Sequence, residues 1–532
     1  MGVFVGNRGC KKHYKGAKMT ELNGIKTPIN VTERELKERC AKKAKIGVNA
    51  IKYFKIVRRS IDARDKNDVK FVYNVLISTK DEKIEEFEYK KINASVSVLV
   101  VGAGPAGLFC ALDLCRRGFD VTLIERGENV DERKKSVDGF IKTRILNEES
   151  NVQFGEGGAG AFSDGKLNTQ VNNKFVKAVF DDFLRFGAPE EIEYDFKPHI
   201  GSDKLPAVVK NLRNEIIRLG GKVRFNAKLT DVTVKNGKIT SVYINGGAEV
   251  YDEVVLAVGH SARDVYYMLD RRGVFMEPKH FAVGLRIEHL RRDIDVSQYG
   301  EKSVRKGLVS ASYKLVSHAA DRGVFTFCMC PGGYVLPSQS EKETVVVNGM
   351  SNYARDGINS NSAVVAQTKD GDYQDELFGG LNFQRKIERA AFELGGGDYS
   401  APVSLFCDYK AGKISSGFKS VLPSYLPSVK FADLNKLFPE SINIALKTSI
   451  TDMGKRLKGF DLDCAVLTGA ETRTSSPLKI TRGENLNSVN VSNLYPCGEG
   501  CGYAGGITSA GADGKKVAMS LAEKYGVSRA EF

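Results

Sequence analysis

The chain has 532 residues, 42% of them apolar and 27% charged, which is ordinary usage for two or three globular domains and excludes wholesale disorder. Its formal net charge of +14 is unevenly spread: residues 1–60 carry sixteen Lys/Arg against four Glu, a surplus of twelve, and the remainder is close to neutral. The ten cysteines include no CxxC pair, and neither Cys328-Met-Cys330 nor Cys497-Gly-Glu-Gly-Cys501 has zinc-site spacing, so no metal is expected. Cys328 and Cys330 alternate along a predicted strand, would face opposite sides and are expected not to pair.

In chain order, the first module is the basic one. Thr32 followed three positions later by Glu35 predicts a capped helix over 32–46. YFKIVRRSIDA (53–63) and VKFVYNVLIS (69–78) predict strands joined by the polar loop RDKND, and the charged tract KDEKIEEFEYKK (80–91) closes a small α+β domain over 1–94. A surplus of charge on this scale predicts docking to a polyanion, RNA or an anionic membrane surface, at residues 1–60. No aromatic RNA-binding pair and no KH-type GxxG accompanies it, so a solvated basic surface is the alternative. No basic segment followed by an apolar one opens the chain, and position 6 is neither Ser nor Thr, so neither export nor myristoylation is expected and the predicted location is cytoplasmic.

The most informative stretch is SVSVLVVGAGPAGLFCALDLCRRGFDVTLIERG (95–127). Residues 96–112 are uncharged, but the central Gly-Ala-Gly-Pro-Ala-Gly would break a membrane helix, so they are read as strand, turn and helix and not as a transmembrane span. Gly102 permits the tight turn, Gly104 lets backbone approach a pyrophosphate, and Gly107 allows close helix–strand packing, with Ala103, Pro105 and Ala106 completing the turn. The helix amino end supplies free N–H groups and a positive dipole end to phosphates. Glu125, which ends the second strand and is followed by Arg126, can accept both ribose hydroxyls and would repel a 2′-phosphate. These parts together predict an adenine dinucleotide.

Three further segments make the chain resemble flavoproteins of the glutathione-reductase structural type, in the subgroup without a second nucleotide-binding domain. GGKVRFNAKLTDVTV (220–234) resembles the strand that reads adenine, which puts Leu229 beside the ring. YDEVVLAVGHSARD (251–264) resembles the strand and turn closing the cofactor domain, with Val258 and Gly259 at the turn. NLYPCGEGCGYAGGITSAGADGKKVA (493–518) resembles the carboxy-terminal Gly-Asp motif, with Gly498 and Glu499 for Gly-Asp, and with Gly505, Gly506 and Ile507 opening a helix aimed at the flavin pyrimidine edge. The resemblance implies FAD. It also implies that VQFGEGGAGAFSDGKLNTQ (152–170) packs along the pyrophosphate and isoalloxazine through Gly157, Gly158, Ala159 and Lys166. In disulfide reductases of this type the same loop carries a dithiol, and here it has no sulfur.

With GEGGAGAFSDGKL, FAVGLRIEH (281–289), CMCPGGYV (328–335), NGMSNYARDGINSNSA (348–363) and GAETRTSSP (469–477), the chain resembles the bacterial NAD- or FAD-utilising dehydrogenases. The implied fold is α/β. A discontinuous Rossmann-like FAD domain (95–274 and 486–532) holds an inserted mixed α+β substrate domain (275–485), after the α+β domain at 1–94. The implied function is hydride exchange between flavin N5 and a small organic substrate, with NAD(P)H or a separate electron donor as partner. An RNA-binding or RNA-modifying flavoprotein is the alternative, and an electron carrier the third reading. His199 and His260 are candidate proton donors near the ring, with a capped loop histidine as the favoured alternative for each; His289 shares both readings, and Lys166 is a further candidate. Arg355 and Arg473 are candidates for holding an anion, and Cys497 and Cys501 are assigned to packing.

Overall fold

The computed structural model describes residues 19–81, 89–92, 94–169, 173–305 and 308–527. Residues 1–18, which hold part of the basic surplus, and residues 82–88 of the charged tract lie outside the described residues. The chain forms two units, Met1–Glu88 with Glu193–Phe196, and Tyr89–Ile192 with Lys197–Phe532.

In the first unit, three antiparallel strands lie in the order Thr20–Thr27, Lys70–Ser78, Tyr53–Asp62. The helix Glu33–Ala44 begins at the expected capping box, in which Thr32 accepts from the Glu35 N–H and the Glu35 carboxylate accepts from the Thr32 N–H at 2.8 Å. Leu36 and Cys40 bury against Leu22, Ile25, Tyr73, Val75 and Ile77 of the sheet. The Thr20–Thr27 strand is absent from the sequence reading because a bulge between Leu22 and Ile25 breaks its alternation. The short segment 193–196 joins this unit through Asp195, which takes two bonds from Arg59, at 2.6 and 2.8 Å.

The second unit is built on a five-stranded, fully parallel sheet ordered Leu494–Pro496, Glu253–Leu256, Ser97–Val101, Asp120–Ile124, Lys222–Arg224. One edge strand is thus supplied by the last forty residues. Helices cover both faces, which is why Val98, Leu99, Val100, Leu123, Val255 and Leu256 are all apolar and inaccessible. The helices Pro105–Arg116 and Ile507–Lys524 lie together, and a Cβ on Gly514 would stand 2.1 Å from the Ala106 carbonyl oxygen. A buried ion cluster holds that contact. Lys515 Nζ lies 2.7 Å from Asp113 Oδ1 and 2.6 Å from Asp182 Oδ2, and Arg116 Nη2 donates to Asp182 Oδ1 at 2.7 Å.

Between the paired strands Met276–Pro278 and Leu478–Ile480, the chain builds a seven-stranded sheet. Its order is Val316–Ser317, Val324–Cys330, Asn359–Gln367, Ala282–Leu290, Val466–Glu471, Ala401–Leu405, Val429–Phe431, antiparallel except for the last pair. The helices Gly379–Leu394 and Glu440–Gly454 cover it, with Ile387, Ala391, Ile442, Leu446 and Ile450 packed on Val283, Leu285, Ile287, Val364 and Leu467. The class is the α/β architecture with a further mixed sheet that the sequence predicts. No described helix is long and apolar enough to cross a membrane.

Replacing Lys515 with Met leaves two facing carboxylates in a site without solvent. Lys515→Met should therefore lower unfolding free energy by about 3–5 kcal/mol, measured by urea denaturation of the full chain. A change within the scatter of surface substitutions would show that the cluster does not tie the helices.

Candidate cofactor and substrate site

A cavity of about 350 Å³ lies over the carboxyl ends of the parallel strands, where the Rossmann turn, the glycine-rich loop and the inserted sheet meet. The first strand ends at Val101, and Gly102 turns the chain at φ +102°, where a Cβ would stand 2.4 Å from the Ala257 carbonyl oxygen. A Cβ on Gly107 would stand 1.8 Å from the Gly102 carbonyl oxygen, so the helix starts hard against the turn. The helix that begins at Pro105 has Gly104 as its cap and no side-chain capping bond. The helix that begins at Ile507 has Gly506 as its cap, likewise without one. Gly104, Pro105, Ala106, Gly505, Gly506 and Ile507 all line the cavity, so two helix amino ends with free N–H groups face the same space.

Glu125 lines the cavity and is otherwise buried. Its Oε2 accepts from the Ala103 N–H at 2.8 Å, and its Oε1 from the Gly127 and Gly155 N–H groups at 3.0 Å each. A carboxylate offers about four acceptor positions, so three bonds leave capacity on the open side. The glycine-rich loop is held by a residue the sequence reading missed, Arg133. Fully buried on the Val130–Thr143 helix, it donates to the carbonyls of Asn151 (2.8 Å), Val152 (2.9 Å), Glu156 (2.7 Å) and Gly158 (2.9 Å). A charged residue eight positions past Glu125 carries no motif, so nothing local in the sequence could have marked it.

The expected site residues fall into three groups. Gly102, Gly104, Pro105, Ala106, Glu125, Arg126, Gly158, Ala159, Lys166, Leu229, Val258, Gly259, His260, Glu499, Gly505, Gly506 and Ile507 line the cavity. Ala103, Gly107, Gly157 and Gly498 support that lining from behind, Ala103 through its N–H to Glu125 and its carbonyl to Gly157 N. His199 stands apart: its Nε2 lies 3.0 Å from the Tyr353 carbonyl oxygen and its ring stacks on Tyr353, which agrees with the loop-histidine reading and not with a proton donor at the cavity. His289 is likewise a core residue, bonded to the Phe460 carbonyl at 2.7 Å.

The two candidate anion-holding arginines are already engaged. Arg355 clasps the buried Asp164, with Nε–Oδ1 at 2.9 Å. Arg473 reaches Glu388 through Nε–Oε1 at 3.1 Å and Nη2–Oε2 at 3.0 Å, and Glu388 also pairs with Arg263. Arg126 is tied to Glu149 and Asp264 and lies over the Phe154 ring at 4.3 Å. Arg126 and Arg473 line the cavity, and Arg355 holds Asp164, which lines it.

His260, Glu499 and Lys166 are titratable groups of the cavity lining. Burial, reinforced by Arg473 and Arg263, lowers His260 to about 3, so it is a neutral imidazole. Burial raises Glu499 from its ordinary 4.5 to about 7, with Lys279 opposing the shift and Cys328 adding to it. For Lys166 burial works against the charge, but Cys328, Cys330 and Asp164 outweigh it and hold the amine protonated. Its Nζ lies 3.6 Å from Cys330 Sγ, 4.0 Å from Cys328 Sγ and 3.5 Å from Asp164 Oδ2. Cys497 and Cys501 are both buried, Cys497 against the cavity, and burial raises both thiols.

The arrangement can bind an extended, anionic, two-ended molecule, and the glycines at Gly259, Gly505 and Gly506 have nothing within 4 Å of where a Cβ would stand. Two family profiles cover this unit: residues 96–284 match "pyridine nucleotide-disulphide oxidoreductase" and residues 280–474 match "FAD-dependent protein, C-terminal domain-like". Residues 19–78 match a domain of unknown function. An uncharacterized protein of Clostridium beijerinckii is 44% identical over 525 residues, 95% of this chain and 98% of that one. The chain belongs to a bacterial family of FAD-dependent oxidoreductases. This FAD-dependent chain is also 26% identical over 237 residues to the digeranylgeranylglycerophospholipid reductase of Haloferax volcanii, across 44% of this chain and 51% of that protein. A solved flavoprotein/dehydrogenase of Cytophaga hutchinsonii aligns at 14% identity over 82% of this chain and 80% of that one, with a TM-score of 0.35.

The Glu499 carboxyl supplies a pH test. Between pH 4.5 and about 7 the folded protein keeps a proton that the unfolded chain has lost, so stability falls as pH rises through that window and is flat above it. Glu499→Gln should flatten this slope in thermal unfolding of the nucleotide-free protein. Coincident wild-type and variant slopes would show that Glu499 does not titrate there.

Proposed function

We propose that the chain exchanges a hydride between FAD and a small organic molecule bound in the same cavity. The observation that supports this reading is the composition of the cavity wall. It runs from the Gly102–Gly107 turn to Phe327, Cys328 and Asn348 of the inserted sheet and its neighbouring strands, so a second molecule can meet the cofactor under that sheet. FAD supplies two-electron redox chemistry at its isoalloxazine when bound.

The chain's own residues bind, orient and set charge. The N–H groups at the amino ends of the Pro105 and Ile507 helices would hold negative groups, the first end at the pyrophosphate and the second at the pyrimidine edge. Proline lacks an N–H, so the donors nearest the Gly104 cap come from Ala106 onward. Glu125 would take the adenosine ribose, Leu229 the adenine and Glu499 the ribitol. Lys166 contributes a fixed positive charge at the inserted-sheet end, where it favours an anionic substrate or an electron-rich ring. The neutral His260, 3.8 Å from Glu499, can pass a hydrogen bond but carries no charge to donate.

Purified protein should be yellow and should release FAD, not FMN, on denaturation. Glu125→Ala should weaken FAD binding by about 1–3 kcal/mol, because the ribose and three backbone N–H groups lose their acceptor. Recovery of NAD alone, or failure to retain FAD on reconstitution, would overturn the assignment. Anaerobic addition of small hydride donors, followed by flavin absorbance, tests the exchange itself: bleaching by one class of donor is expected, and bleaching only by artificial reductants would contradict it.

A further inference from the structure

The Cys328-Met-Cys330 segment is not explained by hydride exchange. Its strand, Val324–Cys330, pairs in register with Asn359–Gln367 as far as Phe327 opposite Ala363, and pairing resumes with Cys330 opposite Asn361. One residue is therefore extra, and Cys328 takes it up in the left-handed region at φ +42°. Bulges of this kind re-aim side chains, and here both sulfurs are turned to Lys166, at 4.0 and 3.6 Å. The fully buried Arg286 brings a second cation and donates to the Cys328 carbonyl at 3.1 Å.

The two thiols are not equivalent. Cys328 is half-buried and lines the cavity, whereas Cys330 is inaccessible, with its Sγ 3.3 Å from the Cys328 carbonyl oxygen. A hydrogen bond from Cys330 lowers Cys328 well below the ordinary thiol value, against the cost of burial and with help from Lys166 and Arg286. Burial pushes Cys330 up. Cys40, Cys110, Cys115, Cys407, Cys497 and Cys501 are all shifted upward, so among the described residues Cys328 alone combines a lowered thiol with access to the cavity.

We propose that Cys328 and Cys330 form a redox-active dithiol that exchanges with a small-molecule disulfide entering the cavity, Cys328 attacking and Cys330 resolving. The Cys328 thiolate attacks one sulfur of the incoming disulfide, whose S–S bond breaks as a Cys328–substrate disulfide forms and one thiolate leaves. Cys330 then attacks the Cys328 sulfur, closing the internal disulfide and releasing the second substrate sulfur. Two electrons pass from the protein sulfurs to the substrate, and the Cys330 proton departs with the products as one thiol and one thiolate. The expectation that the pair stays apart is thereby replaced. The site belongs to the inserted sheet and not to the sulfur-free loop at 152–170. The inference rests on the cavity and is independent of hydride exchange, because its test reads thiols and no turnover.

The full-length holoprotein, reduced and freed of reductant, is incubated anaerobically with hydroxyethyl disulfide, denatured in iodoacetamide and digested with trypsin. One peptide, Gly323–Lys342, carries both cysteines. It should lose two hydrogens and take no alkyl group, while Cys497 and Cys501 are alkylated. Cys330→Ser should stop at a mixed disulfide on Cys328, Cys328→Ser should yield neither product, and Lys166→Met should slow modification about tenfold or more. Alkylation of both cysteines in the exposed wild type overturns the proposal. So does a mixed disulfide in the wild type that never resolves.

Discussion

The distance between two helices sets the geometry of this protein. The helix that follows the first parallel strand and the helix that ends the described chain can lie in backbone contact only because Gly514 faces the Ala106 carbonyl without a side chain. Both run away from the same end of the sheet, so their contact brings the amino ends at Gly104 and Gly506 to one cavity. Each end lacks a side-chain cap, and the N–H groups left over are available to whatever occupies that space. The cost of the arrangement is a lysine with no solvent, which Asp113 and Asp182 neutralise.

Charge elsewhere in the second unit follows the same logic of burial with assigned partners. Arg133 threads the glycine-rich loop by its carbonyls while Glu125 holds the opposite polarity, the loop's Gly155 N–H included. Glu388 clamps Arg263 and Arg473 at the cavity wall, and Asp164 clamps Arg355. These arginines are satisfied by carboxylates, and Lys166, itself 3.5 Å from Asp164, adds a further positive charge at the inserted-sheet end. That leaves a small set of groups with chemistry to offer: Lys166, Glu499, His260 and Cys328.

The parallel sheet and its turn were legible because they obey local rules: an apolar strand, three glycines at fixed spacing, a helix with an apolar stripe and a carboxylate at the end of the next strand. Those parts predict an adenine dinucleotide, and the resemblance of three further segments to flavoproteins implies FAD. What could not be read is what long-range contact decides. Thr20–Thr27 escaped because a bulge spoils its period. Arg133 escaped because its partners are carbonyls that any sequence supplies. His199 looked available and is spent on Tyr353, while Cys328 looked inert until a second bulge turned it toward a lysine 162 residues away in the chain.

The central claim is that helix spacing creates the cofactor site, and FAD affinity of Gly514→Ala tests it most directly. The added methyl needs room that the Ala106 carbonyl occupies, so the helices must separate while the inserted sheet, remote from the change, stays folded. Titration of the nucleotide-free protein with FAD should show affinity reduced by at least about tenfold, of order 1.4 kcal/mol, with unchanged far-ultraviolet circular dichroism. Wild-type affinity in a folded Gly514→Ala protein would contradict the account.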